Sequence, residues 1–332
     1  MTNLYVGRDL IRNISLEFSG KIVIVADHSV KKLYGESLSS QLGALLIAVP
    51  PVKTKETWES IHEQLFQAGC GRDTLLIALG GGVICDVVGF AAATFMRGIP
   101  LIFIPTTLLA MVDAAIGGKT AIDTSFGKNL IGSLYYPKAI VADLDTLKTL
   151  PKEEWIHGLS EILKIGLIFD PAIWDLAQKN PYDEELIYQA MQGKIAIVEQ
   201  DPTELGLRRI LNFGHTIGHG LEKIGDMPHG KAVALGCLAE SHLSMDLGYL
   251  SQKDFAQIQI PYQHFLIKLP QNYTREKLFQ AMQHDKKKWQ GKLRFVLIDR
   301  LGHAMPFEGA YCRAVAKEEL ANTLNWLEER YG

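Results

Sequence analysis

Four side chains with chemical capacity recur at short spacing in the stretch Arg208-Arg209-Ile210-Leu211-Asn212-Phe213-Gly214-His215-Thr216-Ile217-Gly218-His219-Gly220-Leu221-Glu222, and His229-Gly230 follows soon after. On a single helix at about 100° per residue, Arg208, Asn212, His215 and His219 fall within a wedge of about 60°. A cation, an amide and two imidazoles on one stripe suit the lining of a polar pocket. Neutral imidazole is the commonest side-chain metal ligand, and zinc accepts it readily. The competing reading is a solvated helix face with two satisfied histidines. Gly214, Gly218 and Gly220 weigh against it, because glycine weakens a helix by up to about 1 kcal/mol while letting other backbone or a ligand come close. Glu161 and Lys164 are one helical turn apart; taken alone they read as a surface ion pair worth well under about 1 kcal/mol.

The elements that must position these residues fall into two halves. The first alternates short apolar, β-branched runs with helical patterns. The strands are Lys21–Ala26, Ala44–Val49, Thr74–Leu79, Ile99–Pro105 and Ala139–Asp143, with helices over Val30–Leu42, Thr57–Gly69 and Val83–Phe95. Such alternation predicts a parallel, helix-covered sheet. Gly80-Gly81-Gly82 closes the third of these strands and opens a helix carrying Asp86, an arrangement that lets backbone N–H groups face a phosphate. It is neither a Gly-x-Gly-x-x-Gly fingerprint nor a phosphate-binding loop with its Lys-Ser/Thr. Thr106-Thr107 sits at a strand's carboxyl end, where open α/β sheets bind ligands. Asp113 follows on a helix, and then Gly117-Gly118-Lys119-Thr120 and Gly127-Lys128-Asn129 supply two glycine-lysine turns in a loop region. From Pro151 the alternation fades into helices over Lys152–Phe169, Pro171–Lys179, Asp183–Gln200, Arg208–Ile224 and Lys231–Leu247, with a strand or extended return at Leu293–Ile298 and a charged amphipathic tail helix. The expectation is therefore an α/β chain with a Rossmann-like parallel-sheet nucleotide-binding domain over residues 1–150 and a mostly helical metal- and substrate-binding domain over 151–332.

At 332 residues and a net charge of -3, composition favours neither nucleic-acid nor membrane-surface binding. Cys70, Cys85, Cys237 and Cys312 form no spaced pairs, as expected of free thiols in a reducing cytoplasm. The first residues lack a signal-peptide layout. Asp73, Asp86, Arg97 and Asp113 cut the most apolar region into runs shorter than the roughly 20 residues a bilayer needs.

In order and spacing, Gly80-Gly81-Gly82-Val83-Ile84-x-Asp86, Met96-Arg97-Gly98, Pro105-Thr106-Thr107-Leu108-Leu109-Ala110-x-Val112-Asp113, Gly117-Gly118-Lys119-Thr120-Ala121, Gly127-Lys128-Asn129, Leu150-Pro151, Glu161-Ile162-Leu163-Lys164, Arg208–Gly220 and His229-Gly230 resemble 3-dehydroquinate synthases. The likeness spans residues from about 20 to 300 and is dense between 75 and 235. The family converts 3-deoxy-D-arabino-heptulosonate 7-phosphate to 3-dehydroquinate in the shikimate pathway. It does so by transient oxidation with tightly held NAD+, phosphate elimination, re-reduction, ring opening and aldol closure, with a divalent metal, Zn2+ or Co2+.

The resemblance implies Glu161, His215 and His229 as metal ligands. Two imidazoles and a carboxylate would leave open positions for substrate hydroxyls. It gives Asp113, Lys119, Lys164, Lys194, Asn212 and His219 catalytic places in the substrate pocket. Arg208 and Asn129 would hold phosphate, and one lysine of 286–288, taken as Lys287, would line the same pocket. Arg97 would reach the phosphate from a neighbouring subunit, implying a homodimer. Gly82, Asp86, Thr106, Thr107, Lys119, Lys128 and Thr149 would contact NAD. A phosphate dianion plus a carboxylate calls for about this many cations.

The chain departs from the family pattern in four respects. Pro51-Val52-Lys53-Thr54-Lys55-Glu56 stands where Pro-x-Gly-Glu-x-x-Lys is usual, so no NAD contact is carried over there. Ser29 replaces a common Asn, Cys85 replaces a glycine, and the chain is somewhat short. Three rival readings remain: a sister cyclase acting on another sugar phosphate, a metal-dependent glycerol-type dehydrogenase, and a non-enzymatic binding or scaffold relative. Gly117-Gly118-Lys119 suits a substrate carboxylate, which the sister substrates lack. The dehydrogenase would need no phosphate cations and would release NADH. The intact set of ligands and lysines disfavours a scaffold.

Overall fold

The computed structural model describes residues 2–225, 227–286, 292–307 and 310–332. It divides into two compact units, residues 1–155 and 156–332.

The first unit is built on a six-stranded parallel sheet. Its strands are β1 (Asn3–Gly7), β2 (Ile22–Asp27), β3 (Leu45–Val49), β4 (Leu75–Gly80), β5 (Leu101–Pro105) and β8 (Ala139–Asp143), in the spatial order β1-β8-β5-β4-β2-β3. β4, β5 and β8 are buried along their whole length. This explains why they read as continuous apolar runs: both faces of a parallel sheet are covered. One face packs Ile24, Ala26, Ile77, Leu79, Ile104 and Val141 against Leu38. β1 does not read as a strand in the sequence; it pairs in parallel with β8 at the sheet edge.

All the strands run the same way, so their carboxyl ends share one edge of the sheet. β4 ends at Gly80 and passes through Gly81 into the helix Gly82–Thr94. β5 ends at Pro105 and delivers Thr106 and Thr107; the Thr107 hydroxyl accepts the Ala110 N–H at 3.1 Å. Asp113 lies on a π-helical turn, Ala110–Ala114. The two glycine-lysine turns, expected in a loop region, instead belong to an antiparallel hairpin of β6 (Lys119–Thr124) and β7 (Gly127–Leu134). Lys119 pairs with Leu134 in the ladder, whereas Lys128 and Asn129 fall at a register irregularity between Ile122 and Thr124.

The second unit is mainly helical. It contains Pro171–Lys179, Glu184–Gln200, His215–Gly225, His229–Asp246, Gln252–Tyr262, Arg275–Lys286 and Lys317–Tyr331, together with most of Lys152–Ile168. The His215 helix packs against the His229 helix and against Arg275–Lys286. Among the described residues, no helix is long and apolar enough to cross a membrane.

Candidate metal centre and nucleotide turn

The single helix expected from Arg208 to Glu222 is interrupted. Leu207–Asn212 is a 3-10 helix, the chain turns at Phe213-Gly214, and the α-helix begins at His215. Gly214 supplies the break with φ of 78°, a left-handed conformation that glycine adopts without steric cost. The stripe of Arg208, Asn212, His215 and His219 is thus carried by two segments.

Glu161 and Lys164 share the helix Lys152–Ile168, and each is 1% exposed. The pair is buried, unlike the surface ion pair that its spacing taken alone would suggest, with Lys164 Nζ against Glu161 Oε2. Oε1 of the same carboxylate lies 3.5 Å from His215 Nε2 and 3.2 Å from His229 Nε2. The ligand atoms of Glu161, His215 and His229 all lie within 4.8 Å of one another.

The second nitrogen of each imidazole decides what that convergence means. His215 Nδ1 is 3.1 Å from the Phe213 carbonyl, and His229 Nδ1 is 2.6 Å from Glu222 Oε1. A carbonyl and a carboxylate accept, so both Nδ1 atoms donate and carry protons. Both Nε2 atoms consequently face Glu161. Burial, reinforced by the Lys164 charge, lowers the His215 pKa to about 3. His215 is thus neutral, with a lone pair aimed towards a carboxylate. That contact is repulsive unless a cation lies between, so the donor set fits a divalent ion. Burial opposes charge on His229 too, but hydrogen bonds with Glu161 and Glu222 bring it up to about 10. Burial alone would raise Glu161; the Lys164 ammonium and the two imidazoles outweigh it and hold the carboxyl well below its usual range. The Glu222–His229 contact is the outer support that fixes ring orientation in metal sites.

The His219 ring lies 5.1 Å from that of His215, edge on at 88°, and is not among the three converging ligands. Arg208 is 2% exposed and Lys194 6%. The Arg208 N–H donates to Asp201 Oδ2 at 3.0 Å, and its guanidinium donates to the Pro202 carbonyl at 2.9 Å. The Asn212 amide donates to Glu204 Oε1 at 2.8 Å. Lys287 lies outside the described residues.

In the first unit, Lys53 joins two predicted sites. Its Nζ is 2.6 Å from Asp86 Oδ2 and 2.5 Å from Asn129 Oδ1. Burial raises the Asp86 pKa, the Lys53 charge opposes this, and the Asp113 and Asp123 charges add to it. Asn129 has φ of 59°, and its N–H donates to Asp123 Oδ1 at 3.0 Å. Thr149 Oγ1 lies 2.6 Å from the Tyr34 hydroxyl. Lys119, Lys128 and Arg97 are exposed.

Sequence reasoning missed Lys53, Glu222 and Glu240. Lys53 sits in the segment that departs from the family pattern, which hid its proximity to Asp86. Glu222 is one helical turn after His219, a spacing that pointed to it in retrospect. Glu240 is a lone acid in an apolar helix, Ala232–Leu243 being otherwise uncharged. That isolation was the available signal.

Comparisons with known proteins agree in one direction. The family profile described as 3-dehydroquinate synthase N-terminal matches residues 46–157, and that described as 3-dehydroquinate synthase C-terminal matches 158–288. A 3-dehydroquinate synthase of Campylobacter concisus is 41% identical over 327 residues, covering 93% of this chain and 92% of that protein. One of Pelobacter propionicus is 39% identical over 299 residues, covering 84% and 83%. Among solved structures, ValA, a 2-epi-5-epi-valiolone synthase from Streptomyces hygroscopicus with NAD+ and Zn2+ bound, superposes with a TM-score of 0.89. It is 27% identical, with 99% of this chain and 97% of that one covered.

Proposed function

The chain belongs to the 3-dehydroquinate synthase family, and we propose on that premise that it converts 3-deoxy-D-arabino-heptulosonate 7-phosphate to 3-dehydroquinate and phosphate in the shikimate pathway. The observation that carries the reading is the convergence of Glu161, His215 and His229 beside the buried Lys164, in a chain 41% identical to a synthase of that name. The cyclase of a different sugar phosphate is 27% identical despite its close superposition. Fold is shared by both activities, so the sequence likeness favours the heptulosonate.

The cofactors are NAD+ and a divalent metal, Zn2+ or Co2+. When bound, the nucleotide takes up and returns a hydride while the metal polarises the reacting oxygen. In this chain Glu161, His215 and His229 hold the metal, and Glu222 orients His229. Gly82, Asp86, Thr106, Thr107, Lys119, Lys128 and Thr149 hold the nucleotide. Lys164 and Lys194 present ammonium groups to oxygen atoms that gain negative charge, which a dry site makes effective. His219 handles a substrate proton, Asn212 orients a hydroxyl, and Asp113 and Lys119 also act on the substrate. Arg208 and Asn129 bind phosphate, with Arg97 from the partner subunit. Lys287 belongs to the same assignment.

The dimer has support in the exposed apolar residues Leu130, Ile131 and Leu134 on β7 and in Phe126, 92% exposed at the hairpin turn. An apolar edge strand of this kind invites pairing. The domain assignment, 1–150 for NAD and 151–332 for metal and substrate, is part of the same proposal. So is a cytoplasmic location, for which the free Cys70, Cys85, Cys237 and Cys312 are the support.

Comparing kcat/KM on three substrates tests the reading. The heptulosonate phosphate should turn over without net NADH. A heptulose 7-phosphate lacking the carboxylate should be at least a hundredfold poorer. Glycerol should yield no NADH. Preference for the carboxylate-free sugar would move the chain to a sister activity, and NADH from glycerol would make it a dehydrogenase.

A further inference from the structure

Glu240 is a fully buried acid that the proposed reaction does not use. It lies on the helix His229–Asp246 and is 0% exposed. Burial raises its pKa to about 8 against the pull of the backbone N–H groups around it, and those donors are specific. Oε2 accepts the Gly214 N–H at 2.8 Å, and Oε1 accepts the Ile217 N–H at 3.4 Å. These N–H groups open the His215 helix, where the first turn has no helical acceptors and the oxygens of a buried side chain take their place. Gly214, which precedes the helix, has no side chain with which to cap it.

The same two helices meet backbone to backbone. A Cβ built on Gly236 would fall 1.9 Å from the Gly214 carbonyl oxygen. No side chain cushions that contact, so a shift at the helix start passes directly to His215.

We propose that Glu240 is a positioning residue for the metal centre: it anchors the start of the His215 helix and thereby sets His215 Nε2 against Glu161 and His229. One metal ligand, His229, and this anchor sit on the same helix. The second ligand, His215, is thus referenced to the first through Glu240 as well as through the ion. The inference rests on the metal reading above.

The test uses the full chain stripped of metal and titrated with cobalt chloride, whose visible absorption reports ligand geometry. Glu240→Ala should weaken cobalt binding by about tenfold or more, within the range seen for outer-shell supports of metal ligands, and should alter the visible bands. Glu240→Gln keeps one acceptor and should lie between Ala and the native protein. Leu243→Ala, a core truncation on the same helix, should lower Tm without changing affinity or bands. In the metal-free protein, amide exchange at Gly214 and Ile217 should speed up by at least tenfold in Glu240→Ala. The proposal is overturned if both Glu240 variants bind cobalt within threefold of native, or if Leu243→Ala weakens binding as much as they do. Native protein that takes up no cobalt would remove the metal centre itself, and this inference with it.

Discussion

His215 and His219 are one turn apart on one helix and meet different neighbours. His215 converges with Glu161 and His229, whereas His219 stands edge on to it at 5.1 Å and outside the three-ligand group. The spacing invites a two-histidine zinc motif of the His-Glu-x-x-His kind, but the second imidazole comes from the next helix. His215→Ala and His229→Ala should therefore each lose most bound zinc after dialysis. His219→Ala should keep its zinc while kcat falls on the order of a hundredfold, as for loss of a general acid or base. Equal zinc loss in His219→Ala and His215→Ala would reverse the roles. At this scale the resemblance pointed to Glu161, His215 and His229, which the fold brings together, but not to their environment. The burial of Glu161 and Lys164 was invisible because their spacing is also that of an exposed pair. Glu222 and Lys53 were missed because each finds its partner through the fold: Lys53 reaches Asn129 from 76 residues away in sequence.

The segment between the helix Glu184–Gln200 and the break at Gly214 is held by Asp201. Its carboxylate accepts the N–H groups of Leu205 at 3.1 Å, Gly206 at 2.7 Å and Arg208 at 3.0 Å. Burial pushes its pKa up, but the donors at Gly206, Leu205, Arg208 and Glu204 prevail and lower it. A carboxylate with a depressed folded pKa contributes stability that is full above its unfolded value of about 3.9 and lost as pH falls through the folded one. Asp201→Asn should flatten the acid limb of the stability curve, read as urea midpoints from about pH 3 to pH 7. It should also raise KM more than it lowers kcat, since Arg208 loses its backbone anchor. A variant with the native acid limb would show that these hydrogen bonds leave the carboxyl unperturbed. Among elements, β2, β4, β5 and β8 were legible because a covered parallel strand must be apolar throughout; β3, at the opposite edge, was legible because its residues are all apolar although Leu45 is exposed. β1 was not, because at the edge Asn3 and Tyr5 are exposed and dilute the pattern. The break at Gly214 was read as continuous helix because a histidine stripe keeps its periodicity across one left-handed residue.

For the molecule as a whole, the proposed dimer would share a phosphate site between subunits. Arg97 is exposed, with φ of 69°, and follows Met96 at 51°; this tight left-handed turn sets the direction of its side chain. Arg97→Ala should raise the substrate KM by at least tenfold, the loss of one charge-assisted phosphate contact, while leaving Tm unchanged. Mixed dimers of Arg97→Ala with Lys164→Ala should regain one working site of two. Hybrids as inactive as their parents would remove the cross-subunit assignment. The two-unit architecture was legible from the change in periodicity near Pro151, whereas the hairpin was not, because glycine-lysine turns also occur in open loops. The family's reaction has one chain oxidise, eliminate, reduce and close a ring without spending its nucleotide. The most direct test incubates the purified protein with catalytic NAD+, zinc and the heptulosonate phosphate, and counts phosphate, carbocycle and NADH together. Equal phosphate and 3-dehydroquinate are expected through many turnovers, with no accumulated NADH. Phosphate without carbocycle, or NADH rising with turnover, would contradict it.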